Sequence, residues 1–197
     1  MIATSMADPE HLATLKKGID FWNRWRQESC VSKVDLSGVN LSELSLGGIN
    51  LSGVDLFEAV LLRVDLSEAN LSRANLTGAQ LLAADLSAAN LSRANLTYAQ
   101  LGAADLSEAN CNRAIFHGAD LSATDLSDAN LSRAVLTEAD LGVADLTDAI
   151  LKRADLSKAD LTGARLCRAN LHDAIFEHTI LDKADLRGAN MPSTAIR

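Results

Sequence analysis

Aromatic side chains are scarce in this 197-residue chain: four Phe, two Trp and one Tyr make up 4% of it. A globular core of this size draws much of its volume from such rings, so small apolar residues have to fill the interior instead. Proline is nearly absent, and its two copies, Pro9 and Pro192, lie near the ends. The three cysteines, Cys30, Cys111 and Cys167, are an odd number without a CxxC pair, which argues against a disulfide framework and fits a reducing compartment. The opening residues MIATSMADPEHLATLKKG lack the basic-then-apolar order of a secretory signal. No run approaches the ~20 apolar residues that span a bilayer. A cytoplasmic location away from membranes is therefore expected.

A surplus of positive charge is also lacking. The net charge of −8 disfavours attraction to nucleic-acid phosphates or anionic lipid, so no direct nucleic-acid binding is expected. The sequence contains no GxxxxGK[ST], GxGxxG, HExxH or GxSxG. His11, His117, His172 and His178 offer no evident ligand set. No enzymatic activity, cofactor or metal is expected.

The chain does have a strict period of five. Of the 32 positions numbered in 1 or 6 from Leu36 to Met191, 28 are Leu; the others are Cys111, Phe116, Phe176 and Met191. Two residues before them, 24 of 32 positions are Ala. The unit reads A-(D/N)-L-(S/T)-x. A helix would set successive Leu residues roughly 500° apart, around every side of its cylinder. A plain strand would bury alternate units on opposite faces. The pattern works when the chain turns a corner every five residues, with Ala and Leu inward and β-type bonds between stacked coils.

Tandem A(D/N)LXX over residues 34–191 resembles the signature of the pentapeptide-repeat family, and FWNRWRQES…VDLSGVNL resembles the lead-in of its cyanobacterial members. The resemblance implies an all-β solenoid: a right-handed quadrilateral β-helix. The 32 units make about eight coils of four, a rod of roughly 38 Å. An N-terminal α-helical cap completes the expected fold, dividing the chain into 1–33 (capping helix and lead-in), 34–191 (repeats) and 192–197 (tail).

Asp8-Pro9-Glu10 is a helix start, with a capping carboxylate and Pro at the first helical position. Leu12, Leu15, Ile19, Trp22 and Trp25 or Arg26 follow at helical spacing, which predicts one helix over about residues 9–28. Phe21, Trp22 and Trp25 are the candidate capping residues, because an open coil end exposes edges that invite aggregation. The inward small position is enlarged where the cap should dock, at Val34, Val39, Leu44, Ile49, Val54 and Val64. In the core, the smaller Cys111 is expected to make room for Phe116. The C-terminal GANMPSTAIR has no second helix and is a candidate for self-association.

Stepping by 20 sorts the outward residues onto four faces. The third is acidic. The fourth carries Arg73, Arg93, Arg113, Arg133 and Arg153, one per coil, beside a column of Asn. Glu68, Glu108, Asp128 and Asp148 each stand five residues before one of these arginines, which predicts ion pairs across the corner; Arg168 and Asp173 invert the order. This charged edge is either a structural network or a recognition strip. The second face bears an apolar strip, Phe57, Val60, Leu62, Leu82 and Val143, to be covered by the N-terminal segment or by a partner.

These features point to a rigid protein–protein interaction scaffold. The alternative, implied by resemblance to the quinolone-resistance members that engage DNA gyrase, is a DNA-mimicking modulator of gyrase or topoisomerase. The repeat region holds 22 acids against 12 bases, but the arginine column interrupts its negative surface.

Overall fold

The computed structural model describes residues 7–29, 31 and 33–191. Two short helices precede the repeats where the spacing predicts one: α1, Pro9–Leu15, and α2, Ile19–Glu28. Asp8 caps α1, its Oδ1 accepting the Glu10 amide at 2.8 Å. The break falls at Gly18, whose φ of 100° suits glycine alone and whose N–H donates to Leu15 O at 3.0 Å. Apolar spacing runs through the break because both helices turn one side to the same coil end.

From residue 35 to residue 190, parallel bridges join each residue before the Leu to the one 20 positions later, as in Asn50, Asn70, Asn90, Asn110 and Asn130. Each unit is closed by a turn: Ala74 N–H donates to Leu71 O at 3.0 Å, while Arg73 N–H reaches Ser92 O one coil on, also at 3.0 Å. The third turn position takes a left-handed φ, as in type II turns. Twenty-four non-glycine residues hold it, with φ of 51–62°, each at a cost of about 1–2 kcal/mol. The Asp or Asn side chain fixes the same turn from outside; Asp65 Oδ1 accepts from Ser67 N (3.0 Å) and Ser67 Oγ (2.7 Å).

The inward Leu and Ala columns form one continuous buried core, each buried Leu contributing roughly 1.5–3 kcal/mol. Cys111 and Phe116 are both fully buried, and Phe176 is 7% exposed. Burial pushes the Cys111 thiol up to about 12, so it stays protonated and unreactive. Thr124 takes an inward Ala position and satisfies its hydroxyl on Leu121 O at 2.7 Å.

The helices close two sides of the first coil through backbone groups that no preceding coil can satisfy. Asp8 N–H donates to Asp35 O at 3.1 Å, and Asp35 N–H to His11 Nδ1 at 3.2 Å. On the adjoining fourth face Trp22 Nε1 donates to Asn50 O at 2.8 Å, and Arg26 to Ser52 O at 2.6 Å. Asn23 serves both roles, accepting from Asn50 N at 2.8 Å and donating to Gly48 O at 3.1 Å. Trp22 is fully buried, with Trp25 tilted against it at 5.2 Å. Phe21 does not join them: it is 43% exposed, with Lys17 Nζ 4.7 Å from its ring centre.

The remaining corner corrects a third expectation. Leu44, placed inward by the pattern, is 45% exposed, because neither helix reaches across that side. Among the described residues the amides of Asn40 and Ser45 find no partner. A groove of about 780 Å³ lies there, between Leu12 and Leu15 of α1 and Val39, Leu41, Leu44 and Phe57 of the coils. At the other end Leu181, Ala184, Leu186 and Met191 are only half-buried. The tail 192–197, Cys30 and Ser32 lie outside the described residues. No helix among the described residues is long and apolar enough to cross a membrane.

Candidate interaction surfaces

The second-face strip arises where the outward polar residues of the repeat give way to Leu, Val and Ala. Leu62 and Leu82 sit one coil apart; Leu62 is half-buried and Leu82 is 52% exposed. Gly102 makes room for Leu82, since a Cβ there would stand 3.2 Å from Leu82 Cδ1. Ala83, Ala103 and Ala123 are exposed below it, and Val143 is 64% exposed. Val60 is half-buried. Phe57, 36% exposed, lines the groove against α1. Among the described residues, the N-terminal segment thus reaches only the upper end of the strip, at Phe57, and does not cover Leu62, Leu82 or Val143.

Val143 is the single β-branched residue among the left-handed turn positions, with φ of 52°, where branching at Cβ is most strained. Val143→Gly is therefore expected to stabilise the protein by about 1 kcal/mol, raising the melting midpoint by roughly 2–4 °C. An unchanged or lower midpoint would show that Val143 packs well enough to offset its backbone strain.

The charged edge is arranged differently from the pairing expected across the corner. None of Glu68–Arg73, Glu108–Arg113, Asp128–Arg133 or Asp148–Arg153 forms an ion pair. The pairs run down the columns instead: Asp148 with Arg168, and Arg153 with Asp173 at 3.3 Å. Glu138–Lys158 (3.0 Å), Asp145–Arg165 (3.1 Å) and Glu43–Arg63 follow the same 20-residue step. The reason is distance: residues 20 apart stack at about 4.8 Å, whereas residues five apart stand at opposite ends of a face. The inversion to Arg168 and Asp173 supplies both lower partners. Arg168 holds the Asp148 carboxyl below the usual carboxylate range. Arg73, Arg93, Arg113 and Arg133 have no ion-pair partner among the described residues.

One constellation escaped the sequence reading. Tyr98, 61% exposed, packs edge-on against His117 at 5.3 Å. Its hydroxyl lies 3.3 Å from His117 Nε2, and His117 Nδ1 lies 2.9 Å from Thr137 Oγ1. Gly118 leaves the space that Tyr98 occupies, since a Cβ there would meet Tyr98 Cε1 at 2.4 Å. The signal was available: Tyr98 and Gly118 share a column, and His117 is the neighbour of that glycine. Among the described residues no group of three or more His, Cys, Asp or Glu converges in a metal-binding arrangement.

The family profile described as pentapeptide repeats matches this chain in eight copies, over residues 35–73, 84–122, 94–133, 114–153 and 154–191. HetL, a pentapeptide repeat protein involved in heterocyst differentiation regulation in the cyanobacterium Nostoc, is 32% identical over 88% of this chain and 96% of its own, with a TM-score of 0.34. A trypsin-treated form of QnrB1, a plasmid-mediated fluoroquinolone resistance protein, is 18% identical over 81% of this chain and 85% of its own, with a TM-score of 0.62, a likeness of fold. Rfr23 from the cyanobacterium Cyanothece is 21% identical over 86% of this chain and 97% of its own, with a TM-score of 0.25. No functionally curated protein matches. Proteins with these repeats fold as right-handed quadrilateral β-helices and are generally non-enzymatic structural or interaction proteins.

Proposed function

Because the chain belongs to the pentapeptide-repeat family, we propose that it is a non-enzymatic, rigid interaction scaffold. Its parts are a helical cap at 1–33, a right-handed quadrilateral β-helix of about eight coils at 34–191, and a tail at 192–197. It works in the cytoplasm and presents a partner protein with its second face. The observation that carries this reading is the apolar strip in which Leu62 and Leu82 stack one coil apart and exposed Ala83, Ala103 and Ala123 run on to Val143; an apolar surface of this extent marks a contact site. The half-buried C-terminal coil is a second contact surface, for self-association.

The DNA-mimic reading rests on the excess of acids and on the third face. Against it stand the four unpaired arginines, which repel a basic DNA-binding groove. Two assays separate the readings. In a pull-down from native lysate, Leu62→Ser with Leu82→Ser is expected to lose the captured partner, while the wild-type interaction resists moderate salt because it is apolar. Supercoiling by DNA gyrase is expected to be unaffected at micromolar protein. Potent inhibition that increases with Arg113→Ser and Arg133→Ser would favour the mimic.

A further inference from the structure

Nine arginines lie between residues 34 and 191. Five of them are ion-paired. The other four, Arg73, Arg93, Arg113 and Arg133, are consecutive members of one column, exposed and held at φ of 60° where the fourth face turns into the first. Stacked about 4.8 Å apart, neighbouring guanidinium groups repel by on the order of 1 kcal/mol even in water. The column therefore lacks the counter-charge that every other arginine on the coils has.

Beside it runs the asparagine column. Asn70, Asn90, Asn110 and Asn130 each commit Oδ1 to the amide two residues on, at 3.1, 3.1, 3.2 and 3.1 Å. The acceptor oxygen is thus spoken for, and the Nδ2 groups are what these residues offer outward; only Asn110 turns its own toward a neighbouring side chain, at 3.5 Å. Arg73 and Arg93 line an open groove of about 700 Å³ together with these four asparagines and, between the two columns, Ser72, Ser92 and Asn112. A face of guanidinium and amide N–H donors fits a ligand made of negatively charged acceptors.

We propose that this column binds an extended, carboxylate-rich segment of a partner protein, laid along the rod with its acids against Arg73, Arg93, Arg113 and Arg133. This rests on the scaffold reading above and names the chemistry of one partner. Two features select a peptide over a nucleic acid. The opposite corner of the same face carries Glu68, Glu108 and Asp128, so a duplex broad enough to cover the face sets phosphates against carboxylates, whereas one extended strand covers only the arginine corner. Next to Arg113 and Arg133, on the first face, stand Ile115, 38% exposed, and half-buried Val135. They replace the turn-fixing Asp or Asn of the repeat and give apolar contact that a peptide can use. Below the column, Arg153 is already neutralised by Asp173, which sets the lower limit of the site.

The test is a fluorescence-anisotropy titration of the full-length protein at low salt, with a labelled peptide alternating Glu and Thr. Its Gln-for-Glu counterpart, inorganic polyphosphate and a single-stranded oligonucleotide serve as the other probes. The Glu peptide is expected to bind and the Gln peptide not. Arg93→Ser with Arg113→Ser should weaken binding by about ten-fold or more, equivalent to ~1.4 kcal/mol, while ion-paired Arg63→Ser leaves it unchanged. The melting midpoint of the ladder variant should equal or exceed that of wild type, showing that it remains folded. Equal binding by the ladder variant, no binding of the Glu peptide, or tighter binding of polyphosphate or the oligonucleotide would overturn the proposal. If the Glu peptide fails while Leu62→Ser with Leu82→Ser still abolishes partner capture, the acidic-segment proposal falls and the scaffold reading stands.

Discussion

Replacing Trp22 with alanine is expected to lower stability by about 3–5 kcal/mol, the largest single effect available in the N-terminal segment. The fully buried indole covers the mouth of the first coil, and its Nε1 satisfies Asn50 O. Truncation removes ring volume, hydrogen bond and cover together. At roughly 2–4 °C per kcal/mol for a chain of this size, the melting midpoint should fall by about 10 °C. Trp22→Phe keeps most of the cover and loses the bond, so its cost should be nearer 1 kcal/mol. Thermal denaturation followed by far-ultraviolet circular dichroism reads both. Size-exclusion chromatography of the alanine variant should show association, since the uncovered coil presents backbone edges. A drop of less than 2 °C with a monomeric elution would mean that Asn23, Arg26 and His11 hold the cap without the indole.

The second large effect lies in the core. Phe116→Ala should cost about 3–5 kcal/mol, because Leu and Ala columns fixed by backbone ladders cannot collapse into the void. The more informative experiment restores the repeat. Phe116→Leu alone leaves a smaller void, and Cys111→Leu alone overfills its site, at about 1–3 kcal/mol. If Cys111 is small because Phe116 is large, the double variant should be more stable than the sum of the two effects, by at least ~0.5 kcal/mol in a double-mutant cycle. Strict additivity would show that the two sites fill their volumes independently.

The repeats were legible because one residue type recurs at one spacing for one reason: only an inward Leu every five residues, with a small residue two positions before it, fills this core. The burial of Cys111, Phe116 and Phe176 followed from the same register. The cap was legible in composition but not in shape. Helical spacing from Leu12 to Trp25 looks the same through one helix or two, and Gly18, whose φ decides the matter, carries no apolar signal. Leu44 failed because the register assumes every coil has a neighbour on both sides, and the first coil has one only where a helix lies. The ion pairs failed for a geometric reason. Separation along the chain suggested Glu68 with Arg73, but a stacked coil makes residue 20 the neighbour and residue five the far corner. Tyr98 and His117 were overlooked because a lone aromatic looks like noise until its column partner, Gly118, is read with it. The apolar strip was visible as composition, whereas its exposure depended on how far α1 reaches.

The interval of 20 residues between bridged positions also governs how such a chain can change length. Inserting a single five-residue unit would leave every inward Leu and Ala in register, so the core would accept it at little cost. Every outward column beyond the insertion would move round by one face. The arginines above it would then stand over acids or small residues, the apolar strip would be cut, and the lower ion pairs would lose their alignment with the surface above. Stability constrains this architecture in steps of one unit, while its surface patterns survive only in steps of four. A lineage that lengthened or shortened this rod while keeping a bound partner would therefore do so by whole coils.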